Sequence, residues 1–274
     1  MHRATTYRSR RPELSQHFLC PRAARDVVGR LRLPPGMLVF EPGAGAGALT
    51  ARLADAGFRV IAVERDPRLF RSLRARLIGR ANVECHLGDA LSYPWPREAH
   101  AVVSNVPYAV TAALVRRVLA GAATEAALIV QREAAAKFAG SPHETLFSLV
   151  HRPWFDISIV HAMRRTDFIP PPSVESVVLR IRRRDTPLLP SGARPRWHAF
   201  VRAGIGASDV RSATRDALTW RQIARLEREL GFSRHARPSR LGFEQWLALF
   251  EFAEGESCER GRRRARGAGI RVAG

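Results

Sequence analysis

The sequence is poor in metal-binding and disulfide-forming patterns. Its three cysteines, Cys20, Cys85 and Cys258, are odd in number and form no Cys-x-x-Cys pair. This argues against a disulfide scaffold or a cysteine zinc site. The nine histidines are scattered, and none has a partner at a metal-ligand spacing such as His-Glu-x-x-His. We therefore expect no bound metal.

Long apolar runs are also absent. No stretch of about 18 apolar residues occurs, so we expect no membrane span. The first residues, MHRATTYRSRRPELSQHF, lack the apolar core of a signal peptide. Together with the scarcity of paired cysteines, this favours a cytoplasmic protein.

Negative charge is scarce relative to positive charge. The 274 residues carry 45 Lys and Arg against 25 Asp and Glu, a formal net charge of +20, and Lys137 is the only lysine. This excess favours a polyanionic partner, because each phosphate that a protein neutralises releases condensed counterions. Arginine adds bidentate phosphate contacts and stacking on bases, which suits RNA. An RNA-binding face is expected to draw on Arg116, Arg117, Arg132, Arg164, Arg165 and the arginines of residues 180–184.

Composition divides the chain into four segments. Residues 1–12 are polar and basic, which is typical of a flexible arm. Residues 13–184 alternate strand-like and helix-like patterns and form the expected main domain. Apolar residues at helical spacing predict a small helical, RNA-binding domain at residues 185–253. Residues 254–274 are rich in Arg and Gly, and we expect them to be disordered.

Short apolar runs alternate with helical patterns through the main domain. This alternation predicts an α/β fold with a mostly parallel, doubly wound, Rossmann-like sheet, followed by the small helical domain. Two neighbouring runs, residues 155–163 and 174–182, have no clear helix between them and suit an antiparallel hairpin at one end of the sheet. The five preceding strands are predicted near residues 37–41, 58–64, 82–86, 101–105 and 126–131.

A glycine-rich turn follows the first of these five strands. The run EPGAGAGALT places Gly43 and Gly45 between a strand and a helix, where residues without a Cβ let a ligand approach the backbone. The next strand ends in Glu64, about 20 residues beyond Gly43, where a carboxylate typically holds a ribose diol. Asp89 follows the third strand and can accept a hydrogen bond from an adenine amino group. These residues predict an adenosine-containing ligand, either a nicotinamide cofactor or S-adenosylmethionine.

The fourth strand ends in the run SNVPY, which suits methyl transfer to an adenine amino group. Adenine N6 is a poor nucleophile because its lone pair is delocalised into the ring. The side-chain carbonyl of Asn105 and the backbone carbonyl of Val106 can accept both N6 hydrogens and turn the lone pair towards a methyl sulfonium. Pro107 rigidifies the turn, and Tyr108 can stack on an extruded base. Orientation and preorganised dipoles would then carry most of the catalysis.

With these motifs the chain resembles the ribosomal RNA adenine N6-methyltransferases, a family of erythromycin-resistance methylases and dimethyladenosine transferases. The resemblance covers roughly residues 13–184. It implies a class I methyltransferase sheet, S-adenosyl-L-methionine as cofactor and ribosomal RNA as substrate. The matching pieces, in family order, are LSQHFL (14–19), FEPGAGAGALT (40–50), Glu64, GDA (88–90), NVPY (105–108) and FIPPPSVES (168–176).

The resemblance also implies roles for individual residues. Phe168 is expected to form a second aromatic wall beside the target base. The family usually has asparagine where this chain has His17, which can still donate a hydrogen bond. The implied catalytic residues are Asn105, Val106, Pro107, Tyr108 and Phe168. The implied cofactor-binding residues are Gln16, His17, Leu19, Gly43, Gly45, Glu64, Asp89, Ala90 and Asn105.

Within the family, three features favour the erythromycin-resistance branch: the exact sequence of the glycine motif, the basic arm and the Arg/Gly tail. That branch implies that the substrate is one adenine of 23S RNA at the macrolide site. A methyl group there removes a hydrogen-bond donor and adds bulk where the drug binds. Resistance to macrolide, lincosamide and streptogramin antibiotics would follow. We expect a monomer, because a large RNA must be approached freely. The alternative is a 16S dimethyladenosine transferase that acts in ribosome assembly.

Two other functions fit parts of the sequence. A DNA adenine methyltransferase uses a similar loop after the fourth strand, but it normally carries a larger target-recognition domain. A non-catalytic RNA chaperone or transcription factor on the same fold would be expected to lose Gly43, Glu64 or Asn105, and all three are present.

Overall fold

The computed structural model describes residues 17–268, with side chains as far as residue 255. The described chain forms two compact units. The first comprises residues 17–135 and Ile157–Arg183, and the second comprises Ala136–Asp156 and residues 184–268. The basic arm expected at residues 1–12 lies outside the described residues.

The first unit is built on a seven-stranded sheet. Its strand order is β4-β3-β2-β5-β6-β9-β7, and the pairs among β2, β3, β4, β5 and β6 are parallel. The strands of the unit are β1 (Phe18–Leu19), β2 (Leu38–Pro42), β3 (Arg59–Glu64), β4 (Val83–Leu87), β5 (His100–Asn105), β6 (Ala123–Gln131), β7 (Phe155–Ala162, which begins at the unit boundary), β8 (Phe168–Ile169) and β9 (Ser176–Arg183). Its helices are α1 (Pro21–Gly29), α2 (Ala48–Asp55), α3 (Pro67–Arg76) and α4 (Thr111–Ala120), and α5 (Arg132–Ala139) crosses into the second unit.

Local chemistry explains why these segments form these elements. Every residue of β2 is buried, as expected for a central parallel strand, and the strand opens with the apolar run Leu38–Phe40. Helix α3 begins where Asp66 accepts a hydrogen bond from the N–H of Arg68 and Pro67 takes the first helical position. The predicted α/β, Rossmann-like sheet is therefore present.

The last two long strands complete one edge of the sheet. β9 pairs antiparallel with β6, and β7 is the outermost strand beside β9, so the two runs expected to form a hairpin are neighbours at one end. Their connection is longer than a hairpin turn, because it contains β8. That short strand pairs antiparallel with β1 in a separate two-stranded sheet, which brings Leu19 opposite Phe168.

The second unit is helical. Its helices are α6 (Leu146–His151), α7 (Arg194–Ile205), α8 (Val210–Thr214), α9 (Trp220–Leu230) and α10 (Phe243–Ala268). Trp197 and Trp246 are fully buried, and the indole N–H of Trp197 donates to the carbonyl of Leu149 at 2.8 Å. This bond joins α6 to α7, so residues Ala136–Asp156 cluster with this unit rather than with the main domain to which the sequence assigned them.

The described part of the C-terminal tail differs from the expected disorder. Helix α10 continues through residue 254 to Ala268. Glu, Arg and Ala are strong helix formers, which outweighs the few glycines of this stretch. Residues 269–274 lie outside the described residues.

A close helix contact in the second unit requires a glycine. An ideal Cβ on Gly204 in α7 would lie 2.7 Å from Cη2 and 3.0 Å from Cζ3 of Trp246. The Trp246 side chain is 1% exposed and rigid, so it has little room to move aside.

We predict that Gly204→Ala lowers the free energy of unfolding by about 1–3 kcal/mol through overpacking. This loss would exceed the gain of up to about 1 kcal/mol in helix propensity. Urea unfolding followed by circular dichroism measures the difference. Gly206→Ala is the matched control, because a Cβ there meets no atom within 4 Å. Equal midpoints for the two variants would contradict the prediction.

Candidate active site

A cavity of about 440 Å³ opens at the carboxyl ends of the parallel strands of the first unit. It lies where the chain moves from β2 towards β3 and β4 on one side and from β5 towards β6 on the other, which is the usual ligand crevice of a doubly wound sheet. Predicted site residues that line it are His17, Leu19, Gly43, Gly45, Glu64, Asp89, Ala90, Asn105, Val106, Pro107 and Tyr108.

The glycine turn between β2 and α2 forms one wall of the cavity. Gly45 has φ 59°, and an ideal Cβ there would lie 3.3 Å from Cε1 of Phe18. Gly47 has φ 80°, and its Cβ would lie 2.8 Å from Cδ1 of Leu73. A side chain at either position would be strained and crowded, so the tight turn needs glycine at both. Of the two, Gly45 lines the cavity.

Glu64 ties this turn to the end of β3. Its Oε2 accepts the N–H of Gly45 at 2.7 Å, and its Oε1 accepts the N–H of Asp66 at 2.8 Å. The side chain is buried yet lines the cavity. Each carboxylate oxygen has a further lone pair, so Glu64 can shape the turn and still accept hydrogen bonds from a diol.

Glu41, which the sequence analysis did not single out, is a second buried carboxyl group in the cavity wall. Its pKa is raised to about 8, chiefly by burial and also by the nearby Glu64, while the neighbouring Thr50 opposes the rise. Its Oε2 has no hydrogen-bond partner among the described residues. A protonated Glu41 avoids an unpaired buried charge in the cavity wall.

The Asn105–Tyr108 loop forms the opposite wall. Cδ of Pro107 lies 3.8 Å from the position of an ideal Cβ on Gly43, so this loop and the glycine turn are neighbours, as predicted. The Nδ2 of Asn105 donates to the carbonyl of His17 at 2.7 Å, which leaves Oδ1 as an acceptor. The phenol of Tyr108 shares a hydrogen bond of 3.0 Å with Oγ of Ser176.

The segment before β1 closes over this loop. His17 Nδ1 donates to the carbonyl of Pro170 at 2.8 Å, and its ring centroid lies 5.9 Å from that of Tyr108. His17 and Leu19 thus reach the cavity, as expected. Gln16 lies outside the described residues.

The structure does not place Phe168 in the cavity. Its pairing with Leu19 across β1 and β8 turns its ring into the hydrophobic core, where it is 3% exposed. The expected second aromatic wall is therefore not formed by Phe168 in this structure. Its neighbour Ile169 is exposed instead.

Arg117 supports the loop after β4, a role that the sequence did not reveal. Its guanidinium donates to the carbonyls of Tyr93 (2.6 Å) and Ala90 (3.4 Å), and its Cζ lies 5.0 Å from the ring centroid of Trp95. The Trp95 indole N–H also donates to Ala90, at 2.9 Å. This clamp holds the loop that carries Asp89 to the cavity wall.

The remaining expectations concern a metal site and a membrane-spanning helix. Among the side chains that the structure describes, from residue 17 to residue 255, no three His, Cys, Asp or Glu are grouped as metal ligands would be. No helix within residues 17–268 is both long and apolar enough to cross a membrane.

Comparison with known proteins defines the class and then the family. Residues 7–207 match the family described as ribosomal RNA adenine dimethylase. An rRNA adenine N-6-methyltransferase of Streptomyces fradiae is 40% identical over 255 residues, covering 88% of this chain and 77% of that protein. The mycinamicin-resistance protein MyrB of Micromonospora griseorubida is 34% identical over 249 residues, covering 88% and 78%.

Solved structures agree with this assignment. The crystal structure of 23S rRNA methyltransferase ErmE matches with a TM-score of 0.80 and 32% identity, over 86% of this chain and 99% of that one. A dimethyladenosine transferase from Plasmodium falciparum shares the fold, with a TM-score of 0.68 and 19% identity over 87% and 98%. Fold and cavity are those of a class I methyltransferase, a class that uses S-adenosylmethionine. The chain belongs to the rRNA adenine N6-methyltransferase family.

The buried Glu41 predicts a specific pH dependence of stability. Between its ordinary pKa of 4.5 and about 8, the folded protein retains a proton that the unfolded chain releases. Stability should therefore fall as pH rises through this window, by up to about 1.4 kcal/mol per pH unit.

Denaturant unfolding of wild type and of Glu41→Gln at several pH values tests this. The variant should lack this contribution, so its stability relative to wild type should increase between pH 5 and pH 8. A constant difference across that range would show that Glu41 is not protonated in the folded state.

Proposed function

We propose that this protein transfers a methyl group from S-adenosyl-L-methionine to N6 of an adenine in 23S ribosomal RNA. The observation that carries the proposal is the single cavity that joins the glycine turn and Glu64 to the Asn105–Tyr108 loop. Relatives named as rRNA adenine N-6-methyltransferases, 40% and 34% identical, support the reaction type.

The cavity fits an adenosine-containing sulfonium cofactor. The backbone at Gly43 and Gly45 offers room for its methionine part, because positive φ angles exclude most side chains there. Glu64 would hold the ribose hydroxyls, and Asp89 the adenine. When bound, this cofactor supplies an electrophilic methyl group, so the protein needs neither a metal nor a strong base.

The protein's own contribution is to orient the target nitrogen. The Nδ2 of Asn105 donates to the carbonyl of His17, which leaves Oδ1 as an acceptor. Oδ1 can therefore accept a hydrogen bond from one N6 hydrogen. The backbone carbonyl of Val106 can accept a hydrogen bond from the other N6 hydrogen. The nitrogen lone pair then points out of the base plane, and its proton leaves to water after attack. Tyr108 would stack on the extruded adenine.

Antibiotic resistance is the proposed consequence. Methylation of an adenine at the macrolide site removes a hydrogen-bond donor and adds bulk where the drug binds. The similarity to the mycinamicin-resistance protein MyrB and to the 23S rRNA methyltransferase ErmE favours this branch. We further propose that the protein acts in the cytoplasm as a monomer, without a metal, and that the helical unit contributes to RNA binding.

A 16S dimethyladenosine transferase is the alternative. A ribosomal RNA small subunit methyltransferase A from Thermotoga petrophila is 34% identical, but the match covers only 64% of this chain. The match to the Streptomyces fradiae relative extends over 88% of the chain and so reaches into the helical unit.

The deciding experiment incubates the purified protein with radiolabelled S-adenosylmethionine and protein-free 23S or 16S RNA. Label in 23S RNA, mapped to a single adenine by primer extension, is the expected result. Label in 16S RNA alone would establish the alternative. Absence of label in both, together with tight RNA binding, would refute the enzymatic proposal.

Asn105 and Tyr108 give a prediction about turnover. Asn105→Ala should lower kcat by about 10²–10³-fold, as for the loss of one preorganised hydrogen-bonding group, while cofactor affinity is retained. Tyr108→Ala should weaken RNA use, whereas Tyr108→Phe keeps the ring and loses only the bond to Ser176. Single-turnover assays and cofactor titration separate these effects. Wild-type turnover in Asn105→Ala would remove Asn105 from the mechanism.

Arg117 gives a prediction about the cofactor. Arg117→Ala should raise the Kd for S-adenosylmethionine by about tenfold, or about 1.4 kcal/mol, because the loop carrying Asp89 loses its clamp. At saturating cofactor, kcat should change little. Arg116→Ala, an exposed neighbour on α4, is the matched control. Isothermal titration gives the two Kd values, and equal values would contradict the positioning role.

A further inference from the structure

A second concave surface lies in the first unit, apart from the active-site cavity. It encloses about 650 Å³ beside the carboxyl end of α1, against β6, β9 and β7. We call it the α1 groove. Its charged lining comprises the arginines Arg25, Arg30, Arg32 and Arg180 and the carboxylates Asp26 and Glu125. Arginines outnumber carboxylates two to one.

Three of these arginines are available to a ligand. Arg25, Arg30 and Arg32 are exposed, and their guanidinium groups make no ion pair or hydrogen bond with any residue in the described range. Arg22, one turn before Arg25, differs, because it pairs with the buried carboxylate of Asp167 at 2.8 Å. The groove therefore presents unneutralised positive charge in a recess.

Helix α1 connects the two concave surfaces. It begins at Pro21, which lines the active-site cavity, and ends at Gly29, which lines the groove. Its 9 residues span about 13 Å at 1.5 Å per residue. Nothing lies within 4 Å of an ideal Cβ on Gly29, so the surface there is open. The helix faces the core with Ala23, Ala24, Val27 and Val28.

We propose that the outer face of α1 and the α1 groove bind the sugar–phosphate backbone of the substrate RNA, a few nucleotides from the target adenine. This inference rests on the proposed function, in which the target base occupies the cavity that Pro21 helps to line. A strand that leaves this cavity past Pro21 would run along α1 to the groove. Unpaired guanidinium groups along this path match phosphate in charge and in bidentate geometry.

Three of the arginines expected on the RNA-binding face are already engaged. Arg117 donates to two carbonyls, and Arg132 pairs with Glu175 at 2.5 Å. Arg183 donates to the carbonyl of Gly121 at 2.7 Å. These three side chains serve the fold and are less available to RNA than Arg25, Arg30 and Arg32.

The test replaces Arg25, Arg30 and Arg32 together by Gln. The probe is a short transcript of 23S RNA that contains the methylated adenine, and its Kd is measured from low to high KCl. The slope of log K against log[salt] is negative, and each lost phosphate contact reduces its magnitude by roughly 0.7–0.9. The slope of the triple variant should therefore be about 2 units smaller in magnitude than that of wild type. Its affinity at low salt should fall at least tenfold, with the Kd for S-adenosylmethionine unchanged.

The control removes equal charge elsewhere in the same unit. Arg71→Gln, Arg74→Gln and Arg97→Gln combined change three exposed arginines that line neither concave surface. This variant should keep the wild-type slope. The conservative replacement of Arg25, Arg30 and Arg32 by Lys should largely restore the slope. Equal slopes for the groove and control triples would overturn the proposal.

Shortened RNAs locate the contact. One transcript is trimmed on the 5′ side of the target adenine and another on the 3′ side. The transcript that lacks the contacted nucleotides should bind wild type and the groove triple with equal affinity. If the difference persists with both trimmed RNAs, the groove does not contact the strand that flanks the target. Methyl transfer by wild type is scored separately, so failure of the proposed reaction is distinguishable from failure of this RNA path.

Discussion

The crevice between the carboxyl ends of β2 and β5 depends on the order of the strands. From β2 the chain moves outward to β3 and β4, and from β5 it moves the opposite way to β6. Connections that leave in opposite directions cannot cover the gap between them. The glycine turn and the Asn105–Tyr108 loop therefore face each other across one cavity.

Buried polar groups turn that crevice into a preorganised site. Glu64 accepts hydrogen bonds from two backbone N–H groups, and Asn105 donates one to the carbonyl of His17. Both side chains are therefore oriented before a ligand binds. Arg117 does the same for the loop after β4. Such fixed dipoles need little reorganisation during a reaction, which suits a transfer that depends on orientation rather than on acid–base chemistry.

The sequence predicted most of the fold and much of the site because both are local in character. Periodicity located the strands, and the glycines and Glu64 stand at strand ends that meet at one edge of a parallel sheet. Phe168 was different, because the pairing of β1 with β8 sets the side on which its ring lies, and no local pattern encodes that pairing. The same holds for Arg117, whose partners Tyr93 and Ala90 lie far from it in sequence.

The amino-acid sequence by itself determined the class of sheet, the position of the glycine turn and the identity of the Asn105–Tyr108 loop, which follows β5. These follow from residue types and spacing, which act over a few neighbouring residues. Only the tertiary structure decided that Glu41 is buried beside Glu64, that Ala136–Asp156 joins the helical unit, and that Arg25 is unpaired while Arg117 is engaged. Burial and charge pairing depend on which distant segments come together, and packing of the whole chain sets that.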